Sequence, residues 1–451
     1  MAWGLVRVAA ALLTATIVSM ASGLRADIVT FEAVAVTGTP IPETSGLTFT
    51  RFAGTSISNG TVLFTGSDQV NVWGVYTSDG GTLSRLVDST APIPGGTGNF
   101  DLFSSPRTDG SSVVFVGDDL DTTQSGVYTV PFSGGAATRI ADTSTSLPGG
   151  GSIDTYLSAD VNGGTVAVEG FLNPAGEGIY TIVGGNVTTI VDTNTLAPGT
   201  TSNFDRFSSP QLAADGTVVF QGDTDQFSTT GFQGIYTGTG GALTTVVDSS
   251  DAMPNSTGTF SQIRPPSVSD DGTIAFGATG TETHPDAGNF SGVYTSLNGV
   301  LSVVADATTL TPDGTEFLLF DSALTPIWED TVGFVAYDLL DADTLRQALW
   351  ISRAGTLYEI LTIATAQIGS PFVGEMFDGR QLELIFLSPD SIEGDTIAFT
   401  AAFTNGDWGV YTATIEPAAV PEPSSLLLLG LTGAACAGTG WRRRKSRPAQ
   451  A

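Results

Sequence analysis

Apolar runs in this chain are short, and they return at even intervals. The pattern is clearest around Ser209. There Pro210-Gln211-Leu212-Ala213, Thr217-Val218-Val219-Phe220, Gly234-Ile235-Tyr236-Thr237 and Leu243-Thr244-Thr245-Val246-Val247-Asp248 follow one another, with Asp215-Gly216 and Gly240-Gly241 between runs. Short β-branched and aromatic runs bounded by Gly and Asp predict strands rather than helices. An Asp-Gly pair between two such runs predicts a hairpin, because a tight primed turn needs residues that tolerate positive φ. The same corner recurs as Asn59-Gly60, Asp109-Gly110, Asn162-Gly163, Asp271-Gly272, Glu329-Asp330 and Glu393-Gly394.

The third run of each unit is the most constant. Gly-Val-Tyr-Thr, or its Ile variant, stands at 74–77, 126–129, 178–181, 234–237, 292–295 and 409–412, and a degenerate copy, Ala348-Leu349-Trp350-Ile351, fills the one gap. The aromatic positions, Tyr76, Tyr128, Tyr180, Tyr236, Tyr294, Trp350 and Tyr411, are 52, 52, 56, 58, 56 and 61 residues apart. Seven copies at a near-constant period mean one supersecondary unit used seven times. A four-stranded meander repeated seven times predicts an all-β, seven-bladed propeller of antiparallel blades.

The fourth run tests closure. It follows the third in six units, at Arg85–Asp88, Thr138–Asp142, Thr188–Asp192, Thr244–Asp248, Ser302–Asp306 and Leu357–Ile363, but after Gly409 only Ala413-Thr414-Ile415-Glu416-Pro417 remains. The missing run stands at the other end of the chain, Val29–Val36, followed by Thr39-Pro40-Ile41-Pro42 just as other fourth runs are followed by Ala91-Pro92-Ile93-Pro94. The N-terminal strand is therefore expected to complete the last blade and so remove two open sheet edges.

Composition fits that reading: 56 glycines, 41% hydrophobic residues and few charges suit many strands and tight turns. A chain of 451 residues exceeds the usual size of a single core, and a repeat array escapes that limit because each unit packs on its neighbours. Charge is lopsided. Between Asp27 and Val420 stand nine arginines and 45 acids, a net charge of about −36. Such a body repels nucleic acid and anionic membrane. Cys436 is the single cysteine, so no disulfide forms within the chain.

Both chain ends carry addresses. Residues 1–26 read as a secretory signal peptide, with Arg7, an apolar stretch Val8–Met20 and small residues before Asp27. At the other end Pro421-Glu422-Pro423 in the linker 418–425 leads into the apolar segment 426–441, expected to be a transmembrane helix, and a basic tail 442–451, expected to stay cytoplasmic. This tripartite ending resembles the PEP-CTERM sorting signal of Gram-negative bacteria. The resemblance implies that Pro421, Glu422 and Pro423 are recognised by the membrane enzyme exosortase. It also implies that the protein is exported, anchored by its C-terminal helix until processing, and delivered to the envelope or to extracellular polysaccharide. Within the expected domain 27–417, the Asp-Gly-Thr-Val-Val-Phe…Gly-Ile-Tyr pattern is similar to the repeat of TolB-type propellers, a likeness of fold that brings no active site with it.

Candidate chemistry is sparse. His284, the single histidine, lies in an insertion between the second and third runs of the fifth unit, so Ser-His-Asp and Cys-His catalysis have no basis and a zinc site of the usual type is not expected. The densest acidic loops follow second runs, at Asp118, Asp119 and Asp121 and at Asp223 and Asp225; they are candidate calcium ligands, though no full calcium-loop motif is present. The Asp that ends five fourth runs (Asp88, Asp142, Asp192, Asp248, Asp306) reads as turn chemistry. Phe-x-x-Phe pairs at 49/52, 100/103, 204/207 and 317/320 read as packing between blades, the competing reading being an exposed sugar platform. The expected function is non-enzymatic, a binding or structural propeller of the envelope or matrix without a cofactor. Two competitors remain: a glycan hydrolase or lyase using loop carboxylates, which needs two convergent buried carboxylates, and a calcium-dependent adhesin.

Overall fold

The computed structural model describes residues 28–416 except 71, 122–123, 226–230, 285–287, 321–323, 342 and 369. The expected signal helix 1–26, the linker with Pro421, Glu422 and Pro423, the expected transmembrane helix 426–441 and the basic tail lie outside the described residues. The chain divides into two compact units, residues 31–414 and the two chain ends, 1–30 with 415–451. In the second, the described residues are joined where Thr30 Oγ1 donates to Glu416 Oε1 at 3.4 Å.

Residues 31–414 form a propeller of seven antiparallel sheets, taken here as blades 1 to 7 in chain order. Blade 2 shows the unit: Leu102–Thr108, Ser112–Asp119, Gln124–Pro131 and Thr138–Asp142 pair in sequence order as a meander. Blade 7 closes as the sequence predicts. Its strands Arg380–Phe386, Thr396–Phe403 and Trp408–Glu416 are completed by Ile28–Val36, hydrogen-bonded beside Trp408–Glu416. The closing strand is locked at its end by Thr37, whose N–H donates to the Trp408 carbonyl at 2.8 Å while its Oγ1 accepts from the Trp408 N–H at 2.8 Å.

Alternation along each strand feeds two different cores. In blade 1, Val62, Phe64 and Tyr76 pack into the core shared with Ala35, Ala398 and Val410 of blade 7. Their neighbours Leu63 and Val75 point the other way, into the core shared with Phe100, Phe103, Phe115 and Tyr128 of blade 2. Every blade so arranged is buried on both faces, and each aromatic ring removed from water stabilises by about 1.5–3 kcal/mol. The Phe pairs are buried members of these cores, so they are packing residues and not a sugar platform.

The cores explain the repeated string. The first Phe of each pair meets the ring of the third strand edge-on: Phe49–Tyr76 at 4.9 Å and 89°, Phe100–Tyr128 at 4.9 Å and 85°, Phe204–Tyr236 at 5.0 Å and 81°, Phe317–Trp350 at 5.2 Å and 85°. The tyrosine lies back over its own strand. A Cβ on Gly126 would fall 2.8 Å from the Tyr128 hydroxyl and 2.8 Å from the Ala141 carbonyl oxygen. Its cross-strand partner is Gly117, where a Cβ would fall 2.6 Å from the Phe100 ring. Glycine two residues before tyrosine is thus one packing requirement written as two letters. In the degenerate copy Trp350 has no hydroxyl and Ala348 occupies the glycine position, and beside the slip before the aromatic that blades 1 to 5 share, the pairing slips once more between Gln347 and Ala348.

The first strands depart from expectation. The run anticipated at Pro210–Ala213 is a longer strand, Arg206–Leu212, whose pairing slips between Ser208 and Gln211. Ser209 there has φ of 52°, as Ser105 (50°) and Gly54 (59°) do in their blades. These bulges shift the alternation by one residue and hide the front half of the strand from a period-2 reading. In blades 5, 6 and 7 the first strand is split into two pieces, such as Phe260–Ile263 and Ser267–Val268 around Pro265 and Pro266, because proline has no N–H for the ladder.

Gly126→Ala should therefore lower stability by about 1–3 kcal/mol, the usual range for overpacking a filled core. Calorimetry of the variant checks this, and an unchanged melting midpoint would contradict the packing account.

Candidate functional site

Residues singled out from sequence fall mostly into turn chemistry. Asp88 Oδ1 accepts from the Thr90 N–H (3.0 Å) and hydroxyl (2.6 Å), Asp142 Oδ1 from the Ser144 N–H (2.9 Å) and hydroxyl (2.5 Å), and Asp248 Oδ1 from the Ser250 N–H (2.8 Å) and hydroxyl (2.6 Å). These are side-chain-capped turns at strand ends. Asp118, Asp119 and Asp121 stand at the end of the second strand of blade 2, and Asp223 and Asp225 at the equivalent place in blade 4. Asp119 Oδ1 accepts from the Asp121 N–H at 2.9 Å; Asp223 accepts from the Asp225 N–H at 2.8 Å and from Gln233 Nε2 at 3.0 Å. The two groups sit in different blades, and among the described residues no three of His, Cys, Asp and Glu gather as a metal site. His284 ends the strand Ile274–His284, and the insertion there lengthens the hairpin with Gly288–Leu297.

Polar side chains also stitch neighbouring blades. In blades 2 to 5 the residue just before the repeated glycine accepts an N–H from the first strand of the next blade: Ser125 Oγ from Tyr156 (3.0 Å), Glu177 Oε1 from Phe207 (3.0 Å), Gln233 Oε1 from Ile263 (3.3 Å) and Ser291 Oγ from Phe320 (3.2 Å). Between blades 3 and 4 the stitch is doubled. Glu169 Oε2 accepts from the Ser158 hydroxyl at 2.7 Å and from the Ser209 N–H at 3.2 Å. Glu169 and Glu177 are both buried, and a like charge nearby disfavours ionisation of a buried carboxyl. Burial and the Glu177 charge push Glu169 up to about 8.

First strands line the centre of the ring. At their ends, by the first corner, a cavity of about 280 Å³ takes residues from every blade: Ser58, Thr108, Asp160, Gln211, Ser269, Trp328 and Asp390. Asp109, Asp270 and Glu393 add further carboxylates to the wall. Many of these oxygens are spent on the ring itself. Glu393 accepts the N–H groups of Asn59 and Gly60, both at 2.7 Å, across the closing junction, and Asp160 Oδ2 accepts the Leu212 N–H at 2.7 Å across blades 3 and 4. Arg107 Nε lies 3.3 Å from Asp390 Oδ2. Burial, then the Asp390 charge, push Asp160 up to about 7, partly offset by Arg107. Burial raises Asp390 as well.

Sequence reading missed Asp160, Asp390, Glu169 and Glu177. A signal was available for two of them in the register of the repeats. Glu169 stands where other units carry Thr65, Val116 or Gln221, and Glu177 where they carry Ser125 or Gln233.

A model of a family of unknown function, DUF7453, matches residues 113–366. The PEP-CTERM protein-sorting motif matches residues 419–445, so the chain carries that sorting signal as the tail implied. No curated protein matches the chain. Among solved structures it is similar to the β-propeller domain of the trilobed protease from Pyrococcus furiosus, at 11% identity and TM-score 0.49, covering 81% of this chain and 95% of that one. It is similar to oligogalacturonate lyase from Vibrio parahaemolyticus at 12% identity and TM-score 0.48, covering 88% and 99%. Its likeness to TolB from Acinetobacter baumannii is 13% identity at TM-score 0.33, covering 66% and 58%.

Raised carboxylates make stability depend on pH with a definite sign. A carboxyl whose pKa is higher folded than unfolded stabilises fully below its unfolded value, and that contribution is lost as pH rises through the folded value. For Glu169 the window runs from about 4.3 unfolded to about 8 folded. The melting temperature should fall across this window. Glu169→Gln, which keeps the hydrogen bonds but cannot ionise, should match wild type near pH 5 and melt higher above pH 8. Parallel pH profiles for the two proteins would refute the raised Glu169 carboxyl.

Proposed function

We propose that this chain, which belongs to the DUF7453 family of unknown function, is an exported, non-enzymatic propeller of the cell envelope or extracellular matrix that holds polysaccharide. The sorting motif at 419–445 supports export through exosortase, with membrane anchoring by the C-terminal segment before processing. The observation that carries the non-enzymatic reading is the use made of the central carboxylates. Asp160 and Glu393, which an acid–base mechanism would need free, are committed to backbone N–H groups of neighbouring blades. A carboxylate that fixes a blade junction is a structural part, and its loss would loosen the ring before it changed any reaction.

One observation favours a second reading, a glycan hydrolase or lyase. Asp160 is held near 7 beside Asp390 and Arg107 at the centre of the ring, as a general acid would be. For calcium-dependent adhesion the supporting feature is the pair of acidic loops at Asp118–Asp121 and Asp223–Asp225.

Residues 27–419 incubated with a panel of bacterial exopolysaccharides, with and without calcium, separate the three. The proposal expects retention on at least one polymer, no release of reducing ends or unsaturated products, and no dependence on calcium. Product release that Asp160→Asn abolishes would overturn it in favour of the enzyme. A melting point that climbs with added calcium would favour the adhesin.

A further inference from the structure

The stitch between blades has exceptions, and two of them are neighbours. The residue before the repeated glycine is Trp408 in blade 7 and Trp73 in blade 1, where blades 2 to 5 carry Ser125, Glu177, Gln233 and Ser291. Trp73 Nε1 is buried with no hydrogen-bond partner among the described residues. Both tryptophans line one cavity of about 290 Å³ between blades 7 and 1. It lies at the opposite end of the strand Arg51–Ser58 from the acidic centre, since Arg51 and Phe52 begin that strand and Ser58 ends it.

The wall has a definite chemistry. Phe52, Trp73, Phe386 and Trp408 supply aromatic surface. Phe386 stacks on Trp408 at 5.6 Å and 11°, and the exposed Arg51 places its guanidinium 5.3 Å from the Trp408 ring centre. Ser67 Oγ and Thr400 Oγ1, from the same wall, are buried without a hydrogen-bond partner among the described residues. Trp408 itself is fixed by its two backbone bonds to Thr37, so the cavity is present only when the ring is closed.

We infer that this cavity is a binding site for a flat aromatic carboxylate of one or two rings. The volume is at the small end of ligand sites, about 300–1,000 Å³, which sets the size. Aromatic walls favour an aromatic body. A guanidinium at the edge matches a carboxylate in fork geometry, and among the described residues no other basic side chain lines the cavity. A sugar ring fits poorly, because most of its hydroxyls would be desolvated against carbon. The site is separate from the polysaccharide reading above and stands or falls without it.

The test is isothermal titration of the full chain in lipid nanodiscs with 2-naphthoate, 2-naphthalenemethanol and glucuronate, empty nanodiscs serving as the blank. The inference expects saturable binding of 2-naphthoate at about 1 mM or tighter. The uncharged alcohol should bind about tenfold more weakly and glucuronate not measurably. Arg51→Gln should erase the preference for the carboxylate over the alcohol. The comparison of naphthoate with the alcohol on wild type needs no variant, so a misfolded Arg51→Gln leaves the test intact. No saturable binding of naphthoate, equal binding of acid and alcohol, or glucuronate binding as strong as naphthoate would each overturn it.

Discussion

A blade of this protein cannot stand at an edge. One face carries a tier of rings, Phe49, Phe52, Phe64 and Tyr76 in blade 1, and the other a tier of small and branched residues such as Leu63, Val75 and Val87. Each tier is covered only by the complementary tier of the next blade. A linear stack would leave one aromatic and one aliphatic face in water, and closure into a ring removes both. The strand Ile28–Val36 makes the closure, since Ala35 helps cover the rings of blade 1 while its backbone pairs with Trp408–Glu416. Packing of every other junction presupposes that one.

What could be read from sequence follows the distance over which each constraint acts. Gly-Val-Tyr-Thr was legible because the clash it avoids, Gly126 against Tyr128, lies within one strand, so it repeats as a string. The closing strand was legible because a unit missing at one end reappeared at the other. First strands were blurred because Gly54, Ser105 and Ser209 take positive φ and shift the alternation by one residue. The central site was not legible. Asp160 and Asp390 lie far apart in the chain, and only the ring brings them to one cavity, with Arg107 beside Asp390.

The same logic places the aromatic cavity. Trp73 and Trp408 each precede the repeated glycine, in units at opposite ends of the repeat. They become neighbours because blade 7 abuts blade 1. The ring thus places two chemically opposite features at the two ends of Arg51–Ser58: carboxylates at one, and aromatics with the Arg51 guanidinium at the other. The polar atoms that hold blades together, Glu177, Gln233 and Ser291 among them, are absent from the 7–1 junction at the matching position, and hydrophobic surface takes their place.

Hydrogen exchange tests closure most directly. If the ring is sealed as described, the amides of residues 31–36 exchange as slowly as those of Ser112–Asp119 and Gln124–Pro131, and are lost together with residues 409–414 in one cooperative opening. Residues 31–36 exchanging at the rate of a free terminus, while blades 2 to 5 stay protected, would contradict it.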